Sequence, residues 1–136
     1  YNKPVSSLDV FSTIAAITNT ALPSDRVYDG VNLLTYVADD KLTPHEILYW
    51  RNGYSKAIRK GNWKLYLNGK NNKTFLFNLE NDLSEKHDLS AEHPTIVTEL
   101  IKELDQWEKT QTIKPAWPST ADVLIDVDGE MYFFPS

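Results

Sequence analysis

The chain has no cysteine. Disulfides, zinc–thiolate sites and a cysteine nucleophile are therefore excluded within it, and the redox compartment stays open. No uninterrupted apolar run approaches the roughly 20 residues that a membrane-spanning helix needs, so such a span is excluded. Glycine is scarce, with five residues in 136 and none clustered, so no Gly-rich loop is available to cradle a phosphate. Basic residues are outnumbered: 14 Lys and Arg face 19 Asp and Glu, for a net charge of −5. Nucleic acid is a poor candidate partner, because phosphate binding needs concentrated Lys and Arg. Neither HExxH nor G-x-S-x-G occurs, which removes a helical zinc site and a serine-hydrolase elbow from consideration.

Hydrophobic residues make up 41%, enough for one folded domain with one core. The chain opens Tyr1-Asn2-Lys3-Pro4, without Met and without a signal-peptide pattern, and is read as a piece of a longer polypeptide.

Val10, Phe11, Ile14, Ala15 and Ile17 give residues 8–19 a broad apolar helical face. Ser7 or Asp9 is placed to cap it, and Asn19 and Pro23 to stop it. So apolar a helix requires a partner beyond this chain. A connection broken by Pro23, Gly30 and Pro44 follows, with a possible short helix over 31–37. Ile47-Leu48-Tyr49-Trp50 reads as a strand covered on both faces. Asn52-Gly53 and Gly61-Asn62 are hairpin turns, and Trp63, Leu65 and Leu67 alternate with Lys64 and Tyr66. Phe75, Phe77 and Leu79 form a further strand. Asp82-Leu83-Ser84-Glu85 resembles a helix-start cap, and Pro94 opens a long amphipathic helix carrying Ile96, Val97, Leu100, Ile101, Leu104 and Trp107. In the tail, residues 123–134 read as a hairpin about Asp128-Gly129. Asp126-Val127-Asp128-Gly129 fails as an EF-hand, because Leu124 and Pro135 stand where ligands are required.

Few residues invite a chemical role. His87 and His93 flank the acidic turn and read as solvated. His45 opens the Tyr49-Trp50 strand, either as a surface-loop histidine or facing a cleft. Asp9, Asp29, Asp39 and Asp40 suit loops and caps. Trp50, Trp63 and Trp107 fall on core faces, whereas Trp117 sits between prolines and is exposed. Asn72-Lys73-Thr74 fits a glycosylation sequon in a surface loop.

The order of these segments carries a resemblance. Val5-Ser6-Ser7-Leu8-Asp9-Val10-Phe11-Ser12-Thr13-Ile14, Asp29-Gly30-Val31-Asn32-Leu33, Tyr49-Trp50-Arg51, Ala57-Ile58-Arg59-Lys60-Gly61-Asn62-Trp63-Lys64-Leu65 and Leu76-Phe77-Asn78-Leu79-Glu80-Asn81-Asp82 occur in sequence. Ser84-Glu85-Lys86-His87-Asp88-Leu89 and the helix after His93-Pro94 follow them. Together they resemble the C-terminal part of formylglycine-dependent, arylsulfatase-like sulfatases, over about residues 5–110. Ser12 departs from the family pattern, which has Pro there. The family's C/S-x-P-x-R motif is absent, and Leu22-Pro23-Ser24-Asp25-Arg26 does not replace it.

The resemblance implies an α+β fold: a four-stranded antiparallel sheet packed against the long C-terminal helix, with an N-terminal helix from the edge of an alkaline-phosphatase-like core. It implies three segments: 1–45 from the catalytic domain, 46–110 as the sheet-plus-helix subdomain, and 111–136 as a tail with a possible hairpin. The expected function is the C-terminal portion of a sulfate ester hydrolase, itself without nucleophile or metal ligands. Calcium and formylglycine are implied for the whole enzyme, with none in this chain. The implied partners are the catalytic domain of the same polypeptide and a sulfated small molecule or glycan. A periplasmic, secreted or lysosomal setting goes with the family. His45, Trp50 and Arg51 are the candidates to line the substrate cleft, with a structural ion pair as the other reading of Arg51. The alternative function is a free-standing carbohydrate-binding or interaction module.

Overall fold

A computed structural model describes residues 1–39, 41–111 and 122–135. The chain divides into two compact units, Tyr1–Glu46 and Ile47–Ser136.

The first unit holds α1 (Asp9–Ile17) and α2 (Leu33–Ala38). No side chain caps α1 at its N-cap, Leu8, so neither Ser7 nor Asp9 does the expected work. The Asp9 carboxylate instead reaches back to the Ser6 N–H. Asn19, at positive φ, follows the helix. Leu8, Val10, Phe11, Ile14 and Ile17 are all more than half exposed. Asn32 caps α2 by accepting from the Leu34 N–H.

The second unit is a four-stranded antiparallel meander: β1 (Ile47–Asn52), β2 (Ser55–Lys60), β3 (Trp63–Asn68) and β4 (Lys73–Asn78), in that spatial order. The first turn is centred on Gly53-Tyr54, one residue later than the dipeptide suggests, because Asn52 still pairs with Ser55. Gly53 and Gly61 take positive φ at their turns. Registered rows set the two faces. Tyr49, Ile58, Leu65 and Leu76 lie in line on one face. Trp50, Ala57, Tyr66 and Phe75 lie in line on the other.

The first face is covered by α3 (Pro94–Thr110), whose Leu100 and Leu104 join Ile58, Leu65 and Leu76 in a fully buried cluster. Tyr49 stacks flat on Trp107, with centroids 4.8 Å apart. The second face is covered by a separate hairpin, β5 (Asp122–Val127) and β6 (Glu130–Pro135), turning at Asp128-Gly129. Val127 is buried against Phe75 and Phe77, with Tyr66, Leu79, Tyr132 and Phe134 around them. The sheet is thus enclosed between a helix and a hairpin.

Three local expectations are corrected. Asp82-Leu83-Ser84-Glu85 forms turns, with Glu85 at φ 56°. The Asp82 carboxylate accepts from the N–H groups of Lys86 and His87, so it fixes a loop and starts no helix. His93 is half-buried against the Trp63 ring at 5.0 Å, whereas His87 is exposed as expected. Trp50 is 46% exposed and outside the core. It stands on an edge strand, and the apolar cluster beneath the hairpin takes its strand residues from β3 and β4.

Candidate functional site

His45 and Asp9 make the most tightly built polar centre of the first unit. Asp9 is fully buried. Its two oxygens lie 2.8 and 2.9 Å from His45 Nε2. They also accept from the Ser6 N–H at 2.7 Å and the Val31 N–H at 2.9 Å. Burial pushes the Asp9 carboxyl up, but the Ser6, Val31 and His45 hydrogen bonds outweigh it and hold the group below the ordinary 3.8.

The neighbouring side chains extend this knot. Ser12 donates to the Gly30 carbonyl at 2.8 Å, and Thr13 Oγ1 accepts from the Leu33 N–H at 3.0 Å. A Cβ at Gly30 would lie 2.1 Å from the Leu8 carbonyl oxygen, so only glycine fits there. His45 is therefore no surface-loop histidine: its side chain is 11% exposed and held on a carboxylate. Asp9 likewise has a buried role that spacing did not reveal, since its partners come from three separated segments. Asp39 accepts from the Lys41 N–H, as a loop aspartate does. Asp40 and Trp117 lie outside the described residues.

Trp50 and Arg51 are consecutive on β1 and project to opposite faces. Arg51 faces α3, 3.4 Å from Glu108, and Lys56 reaches the same carboxylate at 2.5 Å. Trp50 faces the other way, in line with Tyr66 and Phe75. These two do not form one cluster, and His45 is bonded within the first unit. Arg26 pairs with its exposed neighbour Asp25 at 2.7 Å.

Among the described residues, no group of three His, Cys, Asp or Glu is arranged to hold a metal ion. The described residues thus do not fit the calcium implied by the resemblance, and a sequence without cysteine or C/S-x-P-x-R does not fit formylglycine. No helix among the described residues is long and apolar enough to cross a membrane.

Comparison with known proteins gives these residues a context. No family model matches the chain. Arylsulfatase G of Canis lupus familiaris is 26% identical over 150 residues, covering 93% of this chain and 25% of that protein. N-acetylgalactosamine-6-O-sulfatase of Bacteroides thetaiotaomicron is 28% identical over 116 residues, covering 74% of this chain and 22% of that protein. The chain is related to the sulfatases. Among solved structures, Ps i-CgsB superposes with a TM-score of 0.68 at 31% identity, covering 85% of this chain and 26% of its own. This sulfatase relative has the mixed fold that its sequence led one to expect, with a four-stranded antiparallel sheet and a long helix. It spans about a quarter or less of the length of these relatives. They extend far beyond it.

Proposed function

We propose that the chain is the C-terminal part of a sulfatase that hydrolyses sulfate esters of carbohydrates or aryl alcohols. Residues 1–45 belong to the catalytic domain of the same polypeptide, residues 46–110 form a further subdomain, and residues 111–136 are a tail bearing the hairpin. The observation that carries this reading is similarity to arylsulfatase G along nearly the whole chain. The apolar side of α1 supports it, since exposed Phe11, Ile14 and Ile17 suit burial against a larger domain. Calcium and formylglycine, where the enzyme uses them, are held by residues of that domain. This chain alone is inactive.

In this reading its own task is to complete the fold and to line the substrate cleft. Trp50 offers an open indole, the kind of surface on which a pyranose ring stacks. Arg51 shares Glu108 with Lys56. Glu108 therefore keeps a partner if Arg51 turns to a sulfate or carboxylate, whose oxygens its planar fork suits. His45 is a positioning residue that acts within the first unit through Asp9. Carbohydrate as the substrate class is supported by two relatives. One is named for N-acetylgalactosamine 6-O-sulfate, and Ps i-CgsB is also known with k-i-k-neocarrahexaose bound.

The test is kinetic, on the intact polypeptide that contains this chain. Trp50→Ala is expected to raise KM for a sulfated oligosaccharide roughly three- to tenfold, the loss of one stacking contact. Turnover of 4-nitrophenyl sulfate should stay within about twofold. Aryl sulfate turnover by the isolated 136-residue chain would overturn the reading. So would oligosaccharide binding by that chain with no sulfatase activity in the intact polypeptide, which is what a free-standing binding module requires.

A further inference from the structure

A cleft lies within the sheet-containing unit, on the face away from α3. It has a volume of about 370 Å³ between β3 and β4, the loop 83–86 and the β5–β6 hairpin. That is the size of a small-ligand site. Tyr66, Phe77 and Phe134 supply aromatic walls, and Ile125 and Val127 close the hairpin side. Lys64, Lys86, Glu85 and Asp126 bring polar groups to the same space, with the Ser84 hydroxyl beside them.

The cleft's walls are tied together. The Asp128 N–H donates to the Lys86 carbonyl at 3.1 Å, and the Asp88 N–H donates to the Asp128 carboxylate at 2.9 Å. Asp82 holds the backbone of Lys86 and His87 from within the loop, at 2.7 and 2.8 Å. Glu85 is held in the left-handed region with its carboxylate 2.5 Å from Lys64 Nζ. A non-glycine residue kept there by its surroundings is a feature that concentrates at binding sites. A cleft assembled beforehand loses little ordering entropy when it is filled.

The lining chemistry selects the ligand class. Two ammonium groups and two carboxylates leave the cleft charge-balanced, so it is not an anion site. Donors and acceptors stand beside aromatic walls. Sugar hydroxyls both donate and accept, and the C–H face of a pyranose packs on aromatic rings. The Lys86 side chain is exposed and open to a ligand. Leu83, 81% exposed, stands at the rim. We propose that this cleft is a saccharide-binding subsite that takes one uncharged pyranose unit of a glycan. It rests on the lining chemistry alone and needs no sulfatase activity.

The experiment is titration of the intact polypeptide with agarohexaose, cellohexaose and chitohexaose, followed by calorimetry, with sodium sulfate as a separate arm. At least one hexasaccharide is expected to bind. Lys86→Ala should weaken it several-fold, and Ser84→Trp, at an exposed position, should abolish it by filling the cleft. Glu99→Ala, on the exposed side of α3, should leave it unchanged, and turnover of 4-nitrophenyl sulfate should be unchanged in all of these variants. Circular dichroism checks that each variant is folded. Absence of binding by all three hexasaccharides would overturn the proposal. So would binding unaffected by Lys86→Ala and Ser84→Trp together, or sulfate competing for the same cleft.

Discussion

Tyr54 and Asp122 are joined by a 2.5 Å hydrogen bond from the Tyr54 hydroxyl to a carboxylate oxygen 68 residues further along the chain. Lys70 holds the other oxygen of Asp122. The Asn68 amide donates to the Phe133 carbonyl at 2.5 Å. These contacts fasten the open end of the hairpin to the β1–β2 and β3–β4 turns, while Asp128 fastens its tip.

The fastening depends on pH from both sides. Burial, then the bond to Asp122, pushes the Tyr54 hydroxyl up to about 12. A raised pKa means that its contribution is complete below the ordinary value of 10.0 and is lost as pH rises through about 12. Lys70, then Tyr54, hold Asp122 below its ordinary 3.8, so its contribution is complete above 3.8 and is lost as pH falls through the lower folded value. The Val127 methyl signals in NMR should therefore hold constant between about pH 4 and 10 and move outside that window. Asp122→Asn should remove the acid arm and, by taking the carboxylate away from the Tyr54 hydroxyl, move the alkaline arm to lower pH; an acid arm that persists in Asp122→Asn would contradict this assignment.

Removal of the buried carboxylate of the first unit should be costly. Asp9→Ala leaves the Ser6 and Val31 N–H groups and His45 without their shared acceptor. A loss of about 3 kcal/mol is expected, the usual penalty for breaking a buried hydrogen-bonded charge. Because the Asp9 pKa is lowered, this stabilisation is complete above pH 3.8 and disappears as pH falls below it. Urea unfolding at pH 7 and pH 3 checks both statements. An unchanged midpoint at pH 7 would contradict the first.

Gly30→Ala tests the same knot by shape instead of charge. The added Cβ meets the Leu8 backbone at 2.1 Å, where no flexible side chain is available to yield. Destabilisation above about 2 kcal/mol is expected, read as a lower midpoint of thermal unfolding. Gly61→Ala has open space around its Cβ and is strained only by its φ of +58°, so it should cost less.

The contact between sheet and helix rests on Leu104, which is fully buried among Ile58, Leu65, Leu76 and Leu100. Leu104→Ala should cost about 2–5 kcal/mol through lost burial and the cavity left behind. Glu99→Ala on the exposed side of α3 should lie within about 0.5 kcal/mol of the parent. Chemical denaturation of the two variants compares them directly.

Much of the architecture was legible because it is local. Gly61-Asn62, the alternation from Trp63 to Leu67, and Pro94 followed by Leu100, Leu104 and Trp107 each specify an element within one window. Where prediction failed, the deciding partner was distant. Asp82 has the spacing of a helix cap, but its carboxylate is taken by Lys86 and His87. Asp9 looked like a capping residue, and its partners at Val31 and His45 have no local signal. Trp50 looked like core because its strand is apolar throughout. Its exposure follows from where the hairpin ends on the sheet.

By itself, the sequence determined the strands, the long helix, the exclusion of cysteine chemistry and the resemblance to sulfatases. Periodicity and turn chemistry act between near neighbours, and the order of motifs survives without coordinates. Only the tertiary structure decided that His45 is bound to Asp9, that Arg51 faces α3 and Trp50 the other side, and that the tail hairpin covers the sheet and leaves a cleft. Those outcomes depend on strand register and on contacts between segments far apart in the chain, which no local pattern encodes.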